Sequence, residues 1–122
     1  MIHCELVGDQ DIMVVRPEGP LQEADFEQLA QAIDPLIAAK GKLAGLMICV
    51  RSFPGWRSFR AFRAHLRFVA DHHRHIERIA AVTDSGFLKI LPRIADRFVR
   101  AKIRSFDFAE KDRALAWLQA AG

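Results

Sequence analysis

The sequence predicts an α/β domain in which a mixed sheet with mainly parallel strands is covered by helices, in the order β-β-α-β-α-β-α-β-α over residues 1–122. Three observations carry that prediction. A pair of short alternating strands opens the chain. Two continuously apolar runs, Leu43–Val50 and Ile79–Val82, suit strands buried on both faces. Stretches of helical spacing separate the later strands, which implies right-handed crossovers within one sheet.

The elements follow in order. Ile2, Cys4 and Leu6 alternate with His3 and Glu5, the period of a half-buried strand. Gly8–Asp11 makes a turn, and Ile12–Arg16 returns as the second strand of a hairpin. Pro17, Gly19 and Pro20 end it. Phe26, Leu29, Ile33 and Leu36/Ile37 then recur at helical spacing, with Glu23, Asp25 and Glu27 at the end where the helix dipole favours acid. Pro35 is expected to kink or shorten this helix. After the central run Leu43–Val50 and a Pro54-Gly55 turn, a helix is expected from about Ser58 to His75. Phe87, Leu91, Ile94 and Phe98 mark another beyond the strand Ile79–Val82. Ile103–Phe108 reads as a strand of mixed polarity near an edge, and Ala114, Trp117, Leu118 and Ala121 as a short amphipathic helix.

A chain of 122 residues with 51% hydrophobic and 27% charged side chains supports one domain with a real core. The longest apolar run is far short of the roughly 20 residues that span a bilayer. The start of the chain lacks the charged and apolar regions of a signal peptide, so a cytoplasmic protein is expected. Cys4 and Cys49 then read as small buried thiols. The net charge of +3 hides an asymmetry: residues 1–50 carry 3 basic and 8 acidic side chains, residues 51–122 carry 15 and 7. That division raises the question of an anionic partner, or of acid pairing with base between two copies.

Three stretches carry a resemblance. They are Gly19-Pro20-Leu21 with Asp25-Phe26, then Phe53-Pro54-Gly55-Trp56, and the tail Phe106-Asp107 with Ala114-Leu115-Ala116-Trp117-Leu118. In order and spacing they resemble the SpoIIAA-like family, small bacterial proteins with a STAS-like fold, and Ile76–Asp84 fits the same pattern. The resemblance covers essentially the whole chain, and Phe-Pro-Gly-Trp is its most specific part. It implies a non-enzymatic interaction or regulatory module. In the wider STAS class, anti-sigma factor antagonists are phosphorylated on a serine at the start of the helix after the central strand. The nearest serines here, Ser52 and Ser58, are flanked by Arg51 and Arg57 rather than set in Asp-x-Ser. The family also resembles Sec14-type lipid-binding domains, which makes a lipidic ligand the alternative.

The carboxyl ends of parallel strands are where open α/β sheets hold ligands. That edge gathers Arg51, Ser52, Phe53, Trp56, Arg57 and Ser58 from one loop, with Asp84 and Ser85 beside Thr83 and Gly86 on the next. Two helix amino termini and two arginines would favour a small anionic or acyl ligand there. Helix capping alone also accounts for Ser58 and Ser85.

On the helix after Ser58, Phe59, Phe62, Leu66, Val69 and His73 fall on one apolar face, expected to meet the core. Arg60, Arg63, Arg67 and Arg74 form a stripe beside it, and Ala61, His65, Phe68 and His72 a third strip. Phe68 is therefore expected to be partly exposed. Arg60, Arg63, His65, Arg67, Phe68 and His72 become the candidate interface for a dimer or a protein partner. A solvated arginine face explains the stripe equally well.

His72, His73 and His75 lack metal-ligand spacing, and no Cys-x-x-Cys or His-Glu-x-x-His occurs, so no metal or cofactor is expected. No nucleophile elbow, phosphate loop or dinucleotide motif suggests an enzyme, and no catalytic residue is assigned. No recognition-helix signature accompanies the basic half, so nucleic acid is not an expected partner.

Overall fold

A computed structural model describes residues 1–9, 11–95 and 99–120, leaving aside the side chains of Phe87, Leu91, Pro92, Ile94 and Ala95. The strands are β1 (Ile2–Val7), β2 (Ile12–Pro17), β3 (Leu43–Cys49), β4 (Ile76–Val82) and β5 (Lys102–Phe106). The helices are α1 (Glu23–Lys40), α2 (Phe59–His72), α3 (Gly86–Ala95) and α4 (Lys111–Gln119). This is the predicted order of elements. Phe98 and Ala121 lie outside the described residues, as do the side chains of Phe87, Leu91 and Ile94.

The five strands follow one another in sequence order across the sheet. β1 pairs antiparallel with β2, and β2–β3, β3–β4 and β4–β5 are all parallel. β2 shows why the sheet is covered on both sides. Met13 and Val15 enter one core with Leu29 and Ile33 of α1, while Ile12 and Val14 enter a second core with Ala114 and Leu118 of α4. Alternate residues on a strand point to opposite faces, so an unbroken apolar run demands helices above and below.

The helix ends follow local chemistry. α1 opens with a capping box: the Gln22 amide donates to Asp25 Oδ2 at 2.8 Å, and Asp25 is buried. It closes on Gly41, whose φ of +81° suits a residue without Cβ. Pro35 neither ends nor shortens α1, which continues to Lys40. Ser58 caps α2 by accepting the Ala61 amide at 3.1 Å. The helix expected to reach His75 ends at His72 and passes into a 3₁₀ turn, His73–His75, before β4.

The seating of α2 corrects the sequence reading. Its buried residues are Ala61, Phe68 and His72, with Phe68 only 8% exposed. Phe59 and Leu66, expected in the core, are 73% and 55% exposed. Periodicity locates the densest apolar stripe on a helix, but burial follows whichever side can approach its neighbours. Here that side is a sparse seam of one alanine, one ring and one histidine. His72 counts as polar in any hydropathy pattern, yet it is buried with oxygen partners at both ring nitrogens.

α4 approaches the central strand closely. A Cβ added to Gly45 would stand 3.1 Å from Leu118 Cβ and Cδ2 and 3.3 Å from Ile12 Cγ1. Gly45→Ala is expected to cost about 1–3 kcal/mol by overpacking this face, read as a lower urea midpoint with unchanged slope. A midpoint equal to wild type would show that α4 yields freely.

Candidate functional site

The sheet brings the β3–α2 loop and the β4–α3 loop together, as the sequence places them. Asp84 N–H donates to the Arg51 carbonyl at 3.0 Å, and Thr83 Oγ1 donates to the same oxygen at 3.2 Å. Arg51 lies 4.0 Å from Asp84 Oδ2 and stacks over Phe108 at 4.7 Å. Asp84 Oδ1 accepts the Phe108 amide at 3.1 Å. Ser85 Oγ accepts the Leu88 amide at 3.4 Å, and the Ser85 amide donates to Thr83 Oγ1 at 3.0 Å. Asp84, Ser85 and Ser58 are thus engaged as loop ties and helix caps, while Ser52 and Arg57 are exposed.

Phe53 and Trp56 pack as an aromatic plug in the β3–α2 loop. Their rings meet edge-on at 4.9 Å, and Trp56 meets Phe62 edge-on at 4.7 Å. The loop is pinned from the other side. Leu21 N–H donates to the Gly55 carbonyl and Arg57 N–H to the Leu21 carbonyl, each at 2.8 Å. Gly55 turns the chain at a φ of +76°.

A cavity opens behind this plug. A chamber of about 150 Å³ lies between the sheet and α1–α2, with Leu21, Phe26, Leu46, Ile48, Phe53 and Phe68 among its walls. His65 stands at its edge. It accepts the Trp56 indole N–H at Nδ1, 3.0 Å away, and stacks on Phe26 with ring centroids 4.9 Å apart. The neutral ring therefore carries its proton on Nε2. Burial lowers the His65 pKa from its ordinary value.

Of the six interface candidates, Arg60, Arg63 and Arg67 are exposed. His65, Phe68 and His72 instead turn inward. His72 is 9% exposed, with Nδ1 2.8 Å from the Phe68 carbonyl and Nε2 2.7 Å from Asp34 Oδ1. Among the described residues, no three His, Cys, Asp or Glu side chains gather as a metal site requires. Cys4 and Cys49 are free thiols, and burial raises the Cys4 pKa. No helix among the described residues is long and apolar enough to cross a membrane.

The chamber and the Trp56–His65 bond escaped the sequence reading. Only the apolar character of Leu46 and Ile48 was legible; a void is a property of packing. Asp34 likewise gave no signal, because its partner lies 38 residues away.

The His65 arrangement has a pH consequence. The unfolded chain takes up a proton near the ordinary histidine pKa of roughly 6.5, and the folded chain does so only at lower pH. Stability from this site is complete above that value and is lost as pH falls through the folded pKa. Urea midpoints measured from pH 8 to 5 should fall less steeply for His65→Gln, which keeps an acceptor but does not titrate. Parallel curves would remove His65 as the source.

The fold matches known proteins. The structure superposes with a TM-score of 0.74 on the crystal structure of an uncharacterised protein of Shewanella loihica PV-4 that has a SpoIIAA-like fold. The two are 20% identical over 97% of this chain and 92% of that one. No curated protein matches the chain. The SpoIIAA-like family model matches residues 12–119, almost the full set of elements from β2 to α4. The chain belongs to the SpoIIAA-like family.

Proposed function

We propose that the chain is a non-enzymatic binding module that holds a small apolar molecule in the chamber between the sheet and α1–α2. The observation that carries this reading is the chamber itself, about 150 Å³ walled mainly by hydrocarbon, with Asp25, His65, His72 and His73 also in its lining. The chamber is partly open to solvent, so a small molecule can enter it. Engineered apolar cavities of about this volume stay dry and take up benzene or xenon. A single ring or a short acyl segment fits that volume. Binding without catalysis agrees with Ser58, Asp84 and Ser85 being engaged in structural hydrogen bonds.

Thermal unfolding with hexanoate, octanoate or toluene tests the proposal. The wild-type midpoint should rise by several degrees at ligand concentrations well above Kd. Ile48→Phe, which fills the chamber, should show no rise while its unliganded midpoint stays level or increases. A wild-type protein unmoved by all three probes would overturn the reading.

A second reading, docking of a protein on the outer side of α2, is favoured by the exposed Phe59 and Leu66 beside Arg60, Arg63 and Arg67. Large exposed apolar side chains grouped on one helix mark interaction surfaces more often than isolated ones do. Phe59→Asp with Leu66→Asp should change stability by no more than about 0.5 kcal/mol per site, because both side chains already face water. The pair should abolish association seen by light scattering. Association equal to wild type would sink this reading.

A further inference from the structure

Beside the exposed stripe, α1 and α2 enclose an open groove of about 530 Å³. Its floor is apolar, with Phe26, Ala30, Ala64 and Phe68. Its walls carry opposite net charges: Glu23 and Glu27 on α1, and on α2 Arg60, Arg63 and Arg67, which outnumber the single acid Asp71 there. Among the described residues, none of these six makes an ion pair. The walls do not neutralise each other across the groove.

We infer that this groove is the interface of a two-fold dimer, in which the acidic wall of each copy lies over the basic wall of the other. The inference goes beyond the docking reading, because it uses the groove side of α2 rather than the outer side that bears Phe59 and Leu66. Charge complementarity selects the occupant. A wholly acidic partner would satisfy the arginines and repel Glu23 and Glu27; a basic one would do the reverse. The groove needs a surface bearing both walls side by side in reversed order.

A second copy supplies that surface. Both β2–α1–β3 and β3–α2–β4 are crossovers between parallel strands, so α1 and α2 run in the same sense. A two-fold axis along the groove therefore places α1 of one copy over α2 of its partner without reversing helix direction. Each contact is then made twice, as an isologous interface requires. Each copy would also bring its apolar floor to the pairing, leaving charge at the rim where it sets register and specificity.

Charge reversal with rescue tests the pairing. Light scattering should give wild type twice the 13.8 kDa chain mass, with dissociation favoured by high salt. Glu23→Lys/Glu27→Lys makes both walls basic, and Arg63→Glu/Arg67→Glu makes the second wall predominantly acidic. Each variant alone should be monomeric, with thermal unfolding confirming that it is folded. Mixed one to one, the two should restore a mass of two chains as a heterodimer.

A wild type that stays monomeric at high concentration overturns the dimer. Folded variants that remain dimeric overturn the groove pairing but leave docking on the outer side of α2 intact, provided Phe59→Asp/Leu66→Asp still abolishes association. Monomeric variants whose mixture also stays monomeric overturn the pairing of α1 with α2.

Discussion

His72, the last residue of α2, turns inward with both ring nitrogens facing oxygen, the Phe68 carbonyl at 2.8 Å and Asp34 of α1 at 2.7 Å. The helical layer is organised around that seat. A buried polar ring is tolerated only where its hydrogen-bonding atoms find partners, and here the partners come from two helices. Phe68 stacks on the His72 ring at 4.1 Å and extends the same seam along α2. With this side turned inward, the helix has no freedom to bury Phe59 or Leu66. The exposed stripe, the charged groove and the wall of the chamber all follow from one rotational setting.

The sheet supplies the other constraint. β2 and β3 are buried on both faces, so each needs helices above and below, and the two layers are unequal. α4 comes close enough to contact Gly45, and its face is tightly filled by Leu118 and Ile12. The α1–α2 face keeps a chamber, because Phe53, Trp56 and His65 prop the loop and helix against one another. Close approach on one side and a braced void on the other explain why a binding reading attaches to the α1–α2 side.

The strand-end loops illustrate how residue types that suggest a site can serve structure instead. Asp84 and Arg51 are ordinary candidates for an anion site, yet they tie β3, β4 and the turn before α4 together. Ser58 and Ser85 satisfy helix amides that have no intrahelical partner. Trp56, placed among ligand contacts from its position in the loop, meets Phe53 and Phe62 edge-on and donates its indole N–H to His65.

Element order, the hairpin, the parallel inner strands and the edge position of β5 were all legible in the sequence. Each leaves a local imprint: alternation in β1, unbroken apolar runs in β3 and β4, turn glycines and prolines between them. The family pattern was legible too, through Phe53-Pro54-Gly55-Trp56 and the tail. The inward side of α2 was not. Apolar spacing pointed to Phe59, Phe62, Leu66 and Val69, whereas burial fell to Ala61, Phe68 and His72. Helix periodicity is a property of one segment, but burial depends on what that segment meets. Asp34, 38 residues away and itself exposed, gives the buried His72 ring a partner, and only the folded chain brings them together.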